Sequence, residues 1–226
     1  MNWRLTFLFS VFALSTYGQD TNKASAKHEA IAKKSPEHKF SIGGSFGYGF
    51  PTELYGSQRY YGGDNTPTIG FADPGIHFDE NLNYQISQHF GVLMEFDWNN
   101  NPIDGKAVDG WYGPMKGHFY MSEYLLGPFY SYTCNNGNIV ECRLLIGDVR
   151  FNEYVNTIPD GPYFLQSAPG VEIGLKYKFF VAKKLYITLD IAYTQTAPLP
   201  ATSYVYYDYD GMFAILNGGV GVEYKF

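Results

Sequence analysis

Hydrophobic and polar residues alternate one by one along most of the chain beyond residue 39. In Phe90–Trp98, the residues Phe90, Val92, Met94, Phe96 and Trp98 stand opposite Gly91, Leu93, Glu95 and Asp97. In Gly170–Phe180, Val171, Ile173, Leu175, Tyr177 and Phe179 stand opposite Glu172, Gly174, Lys176 and Lys178. A period of two is the period of a strand, which sends successive side chains to opposite faces. The same pattern predicts strands over Phe40–Phe50, Ile76–Ile86, Ile139–Val149, Leu185–Thr196 and Phe213–Phe226, and one more within Gly117–Tyr132. Two positions disturb it. Glu80 interrupts an otherwise apolar face, and Pro128 lacks a ladder donor, which predicts a bulge or an early strand end.

The connections between these eight strands alternate in length. Residues 51–75, 99–116, 150–169 and 197–212 are long; residues 87–89, 133–138 and 181–184 are short. The run Asn135-Asn136-Gly137-Asn138 carries hairpin chemistry. Strands of about 9–11 residues with long connections on one side and short turns on the other suit an up-and-down barrel that crosses a bilayer at a tilt. Both chain ends then lie on the short-turn side. Only a closed sheet can cross lipid, because it leaves no unpaired backbone edge.

Composition sharpens the picture. Aromatics make up 19% of the chain, with 21 Tyr and 18 Phe, and Gly adds 25; strands, tight turns and interfacial aromatic belts use these residues. A net charge of −6 argues against a nucleic-acid partner. Residues 1–18 read as a secretory signal: Arg4 is a short basic start, and Leu5–Leu14 is apolar but shorter than the ~20 residues of a spanning helix. Residues 19–38 are polar and Lys-rich and read as a flexible leader, leaving 39–226 as the barrel domain. No later segment has ~18 consecutive apolar residues.

The final strand sets Val220, Val222, Tyr224 and Phe226 against Gly219, Gly221, Glu223 and Lys225 and stops on an aromatic. This ending resembles the assembly signal of outer-membrane barrels, with Phe226, Tyr224 and Val222 as its recognised residues. With the export signal and the loop alternation, residues 39–226 resemble the small outer-membrane β-barrel superfamily of Gram-negative bacteria, the OmpA transmembrane domain and OmpX kind. The resemblance implies an all-β, eight-stranded antiparallel barrel in the outer membrane with both termini periplasmic. It implies a monomer whose partners are outer-membrane lipids, lipopolysaccharide and the barrel assembly machinery.

If the polar faces line the lumen, then Glu95, Asp97, Glu141, Arg143, Glu172, Lys176, Lys178, Asp190, Glu223 and Lys225 are expected to form a charge network that plugs it. Asp79 belongs to the same faces. Small inward residues such as Gly43, Gly47, Gly174 and Gly221 leave room for the long ones. Cys134 and Cys142 flank a short turn and are a candidate disulfide for an oxidising compartment, although parity turns Cys142 to the apolar face.

Chemistry is sparse in the sequence. The five His show no metal-ligand spacing, although His77 and His118 could approach near the outer rim, and nothing calls for a cofactor. Some barrels of this superfamily act on lipid A, and the deacylases share a His-x-Ser arrangement. Here His77, His89 and His118 are followed two residues on by Asp79, Gly91 and Tyr120, and no G-x-S-x-G elbow occurs. The expected function is therefore a non-enzymatic barrel with a structural or surface-interaction role. Its rivals are a lipid A-modifying enzyme on the same barrel and a soluble exported barrel holding a hydrophobic ligand. The last requires the apolar faces to point inward. The long loops are acidic, and Tyr204–Gly211 alternates Tyr and Asp, which suits either a surface ligand or strands continuing past the interface.

Overall fold

The computed structural model describes residues 39–52, 59–60, 67–68, 72–102, 117–155, 164–198 and 212–226. Residues 1–38, read from the sequence as a signal and leader, most of the long connections and the Tyr204–Gly211 run lie outside them. The strands are β1 (Phe40–Pro51), β2 (Arg59–Tyr60), β3 (Pro67–Thr68), β4 (Gly75–Gln85), β5 (Phe90–Pro102), β6 (Gly117–Thr133), β7 (Ile139–Val155), β8 (Phe164–Ala182), β9 (Leu185–Thr196) and β10 (Ala214–Lys225). The short pair β2–β3 belongs to the first long connection. The other eight close into one antiparallel barrel in the order β1-β10-β9-β8-β7-β6-β5-β4.

The stagger of the barrel follows from its register. Starting at Pro169, successive partners around the wall are Asp148, Tyr124, Phe96, Glu80, Gly44, Val222, Ile187 and finally Phe179. The circuit returns to β8 displaced by 179 − 169, or ten residues. Eight strands with that shear tilt by roughly 40° and enclose a wall of radius about 8 Å, which side chains alone can fill.

The faces divide as the alternation requires. Phe46, Val92, Leu126, Leu144, Ile173, Leu189 and Val220 are exposed on the outside, whereas Ser45, Asp79, Glu95, Arg143, Glu172, Lys176 and Glu223 are buried inside. The apolar faces point outward and the charged residues inward, which removes the reading that required the apolar faces to line the interior. Outside, aromatics gather at two levels. Phe40, Tyr84, Phe90, Tyr130, Tyr132, Tyr224 and Phe226 ring the end with the short turns, and Tyr48, Phe50, Trp98 and Tyr124 lie toward the loops. Phe40–Tyr84, Phe90–Tyr130 and Tyr224–Phe226 touch as ring pairs at 4.7, 5.0 and 5.3 Å.

Three sequence expectations need correction. Pro128 neither ends β6 nor bulges it. Pairs on both sides, Leu126 with Ile146 and Phe129 with Arg143, keep one register. The ladder skips Gly127 and Pro128 on the β7 side without a shift of register, and the bare Gly127 allows the Leu144 carbonyl to approach there. The irregularity lies instead between Phe180 and Ala182, beside a turn reduced to Lys183-Lys184. Finally, β5, β7 and β8 run further toward the loops than the alternation suggested, with β7 and β8 paired as far as Glu153 and Phe164.

Candidate functional site

The lumen is the candidate site, and Arg143 is its centre. Its side chain leaves β7 beside Gly174 of β8, where an added Cβ would stand 2.6 Å from Arg143 Nε. Glycine is what lets the guanidinium pass inward at that level. Arg143 Nε donates to Glu172 Oε1 at 2.6 Å, Nη2 donates to Glu95 Oε1 at 2.8 Å, and Nη1 donates to both Asp190 oxygens at 2.9 and 2.8 Å. One planar cation thus joins acids from β5, β8 and β9, in the charge-assisted geometry that makes such bonds strong. Lys176 Nζ adds a contact to Asp190 at 3.0 Å and stands 4.0 Å from Asp79.

Nearer the chain ends lies a second knot. Lys178 Nζ is 2.7 Å from Glu141 and 2.6 Å from Glu223. Lys178 thus bridges acids from β7 and β10 across β8 and β9. Lys225 makes no ion pair within this group; its ammonium lies 4.7 Å from the Tyr186 ring centre.

Toward the loops the pattern changes. Asp97 is 1% exposed, and neither carboxylate oxygen has a hydrogen-bond partner. Cross-strand pairing sets Asp97 between Asp79 and Glu123, and His77 opposite Asn99. Asp97 shares two groups of closely spaced ligand atoms, one with His77 and Asp79 and one with Glu95 and Glu172; within each, the atoms lie within 4.8 Å of one another. Beyond them, an apolar cluster of Met121, Val149, Phe151, Phe213 and Ile215 packs on the inner face toward the loops. A second cluster, Leu93, Leu125, Phe129 and Leu145, lines one wall lower down.

All ten residues of the expected charge network are on the inner face. The structure joins Arg143, Glu95, Glu172, Asp190 and Lys176 in one group and Lys178, Glu141 and Glu223 in another, leaving Asp97 and Lys225 outside both. Parity alone did not single out Glu123, because β6 alternates poorly. His77 and His118 do not converge. His77 is buried in the lumen, while His118 lies on the opposite face and bonds Asn100 at 2.8 Å. Cys134 and Cys142 are both free thiols, with Cys134 at the turn and Cys142 on the outer face.

A closed antiparallel eight-stranded wall, apolar outside and charged inside, is the architecture of small outer-membrane β-barrels. Among solved structures of that class, the chain is similar to Neisserial surface protein A (NspA), at 11% identity over 83% of this chain and 97% of that one, with a TM-score of 0.57. It is similar to the outer membrane protein OprG from Pseudomonas aeruginosa, at 14% identity over 84% and 96%, with a TM-score of 0.54. It is also similar to Ail, the attachment invasion locus protein of Yersinia pestis, solved with the heparin analogue sucrose octasulfate, at 15% identity over 84% and 99%, with a TM-score of 0.50. At these identities the likeness is one of fold. No protein-family model matches the chain, and no curated protein matches it.

Proposed function

We propose that the chain is a non-enzymatic outer-membrane barrel with a structural or surface-interaction role, its lumen plugged by its own side chains and its loops displayed outside the cell. The observation that carries this reading is the pairing of an apolar outer wall with a lumen crossed by the Arg143 and Lys178 knots. A channel needs a continuous wet path. Here the Arg143 guanidinium draws Glu95 of β5 and Asp190 of β9, four strands apart on the wall, to hydrogen-bond distance, and an apolar cluster packs inside the barrel toward the loops. Both chain ends belong to the periplasm on this reading, and Val222, Tyr224 and Phe226 form the segment read by the assembly machinery. The barrel acts as a monomer surrounded by lipid and lipopolysaccharide.

The test is conductance. Purified protein in planar bilayers is expected to give no stable large pore, only small or rare openings. Steady porin-sized conductance, abolished by an antibody against the loops, would replace the plug with a diffusion channel. Recovery of the exported protein in the soluble periplasm without detergent would remove the membrane reading altogether.

A further inference from the structure

The Arg143 and Lys178 knots leave two buried acids, Glu123 and Asp97, without an ion pair; Glu123 accepts from Asn99 Nδ2 at 3.5 Å, and Asp97 accepts from no group. Its carboxylate is buried, neither oxygen is bonded, and no Lys or Arg lies within ion-pair distance of it among the described residues. A charge taken out of water persists only when paired or coordinated. The question is what the surrounding groups are arranged to hold.

We propose that the lumen binds one divalent metal ion through His77 Nε2 and carboxylate oxygens of Asp79 and Asp97. The three ligand atoms lie within 4.8 Å of one another. Ligands about 2.0–2.2 Å from a shared ion sit roughly 3–4 Å apart, so small side-chain rotations close the shell. His77 Nδ1 is 3.2 Å from Asn99 Oδ1. An amide oxygen only accepts, so Nδ1 carries the proton and Nε2 offers its lone pair to the interior. Nε2 already stands 3.8 Å from Asp79 Oδ2. Asp79 is itself oriented by the Ser45 hydroxyl and by Asn81 Nδ2, which donates to Oδ1 at 3.0 Å. A ligand imidazole and a ligand carboxylate each fixed by an outer hydrogen bond is how metal sites hold their ligands.

The neighbouring all-carboxylate group, Glu95 and Glu172 with Asp97, is the weaker alternative because Arg143 already occupies Glu95 and Glu172. One imidazole with two carboxylates suits a borderline ion such as Zn²⁺ or Mn²⁺; Ca²⁺ seeks six to eight oxygens. The apolar cluster at the loop end and the Arg143 knot below enclose the site, so the ion is captured as the barrel closes. This inference rests on lumen geometry and is separate from the surface role. A metal-free barrel that still fails to conduct would remove the ion and leave the plug in place.

The experiment is to refold the full chain in detergent with and without Zn²⁺ or Mn²⁺, strip loosely held metal with chelator and gel filtration, and measure retained metal. The wild type is expected to keep about one ion per barrel and to melt at a higher temperature than the metal-free protein. Asp97→Asn should retain less than about a tenth of an ion and lose the metal-dependent rise in melting temperature. His77→Gln and Asn99→Ala should weaken retention on the order of 10–100-fold while the barrel still forms, and Asp148→Asn on the outer face should retain the ion fully. A wild type without stoichiometric metal overturns the proposal, as does an Asp97→Asn or His77→Gln barrel that keeps its ion.

Discussion

Arg143 and Asp97 occupy one lumen and are treated in opposite ways. Arg143 projects from β7 past a glycine and finds acids from three strands. Asp97, on β5, faces a stretch of wall where β4, β5 and β6 supply His77, Asp79, Asn99 and Glu123 and no Lys or Arg. Among the described strand residues, the inward Lys and Arg come from β7, β8 and β10. Charge in this barrel is thus balanced by reach across the lumen, and reach runs out toward the loops. A fold can bury many acids where one long cation spans the width; where none does, something else must serve.

The contrast is broken most strongly by removing its centre. Arg143→Met leaves Glu95 and Glu172 buried without their cation, and Asp190 with Lys176 alone, and is expected to cost about 3–5 kcal/mol of stability, measured by urea unfolding in lipid vesicles. A loss below about 1 kcal/mol would mean that water reaches the knot. Asp97→Asn works the other way. In metal-free protein it removes an unanswered charge and should stabilise the barrel by roughly 1–3 kcal/mol, with the sign as the deciding result. Glu80 extends the comparison to the outside. It lies among Phe78, Leu82 and Phe96 on the outer wall, and its carboxylate has no partner among the described residues. Glu80→Leu is expected to stabilise the barrel in bilayers by about 1–2 kcal/mol, below the range for a lipid-facing Lys or Arg at the midplane. The smallest effect belongs to Asp148→Asn. Asp148 and Arg150 form a 2.7 Å pair on an exposed face, and its loss should stay within about 1 kcal/mol in the same unfolding assay.

Much of this was legible in the sequence because parity is a strong constraint. Once Val92, Met94 and Phe96 are placed outside, Glu95 and Asp97 have no alternative to the lumen. Identity of face, however, is not identity of neighbour. That Asp97 lies opposite Asp79, and His77 opposite Asn99, depends on the register of β4 against β5, which no residue in the connecting turn announces. The separation of the lumen charges into two knots depends on register in the same way. Glu123 was hidden for another reason: Met121, Leu125 and Phe129 are apolar and point inward on β6, so its alternation of polarity fails while its alternation of direction holds. Pro128 misled because a missing donor interrupts the ladder locally while the pairs on either side hold the register.

The ten-residue stagger also bears on how the molecule is made. The seam joins β1 to β10, with Ser41 beside Lys225 and Phe50 beside Leu216. Every other strand pairs with a neighbour in sequence, but this join links segments from opposite ends of the domain. A product broken off before β10 is an open ribbon, with the free sides of β1 and β9 presenting unpaired backbone to whatever is near. The seam therefore works as a proof of completeness: only a chain carrying its last strand can hide both edges, and any shorter one remains visibly unfinished to a protease.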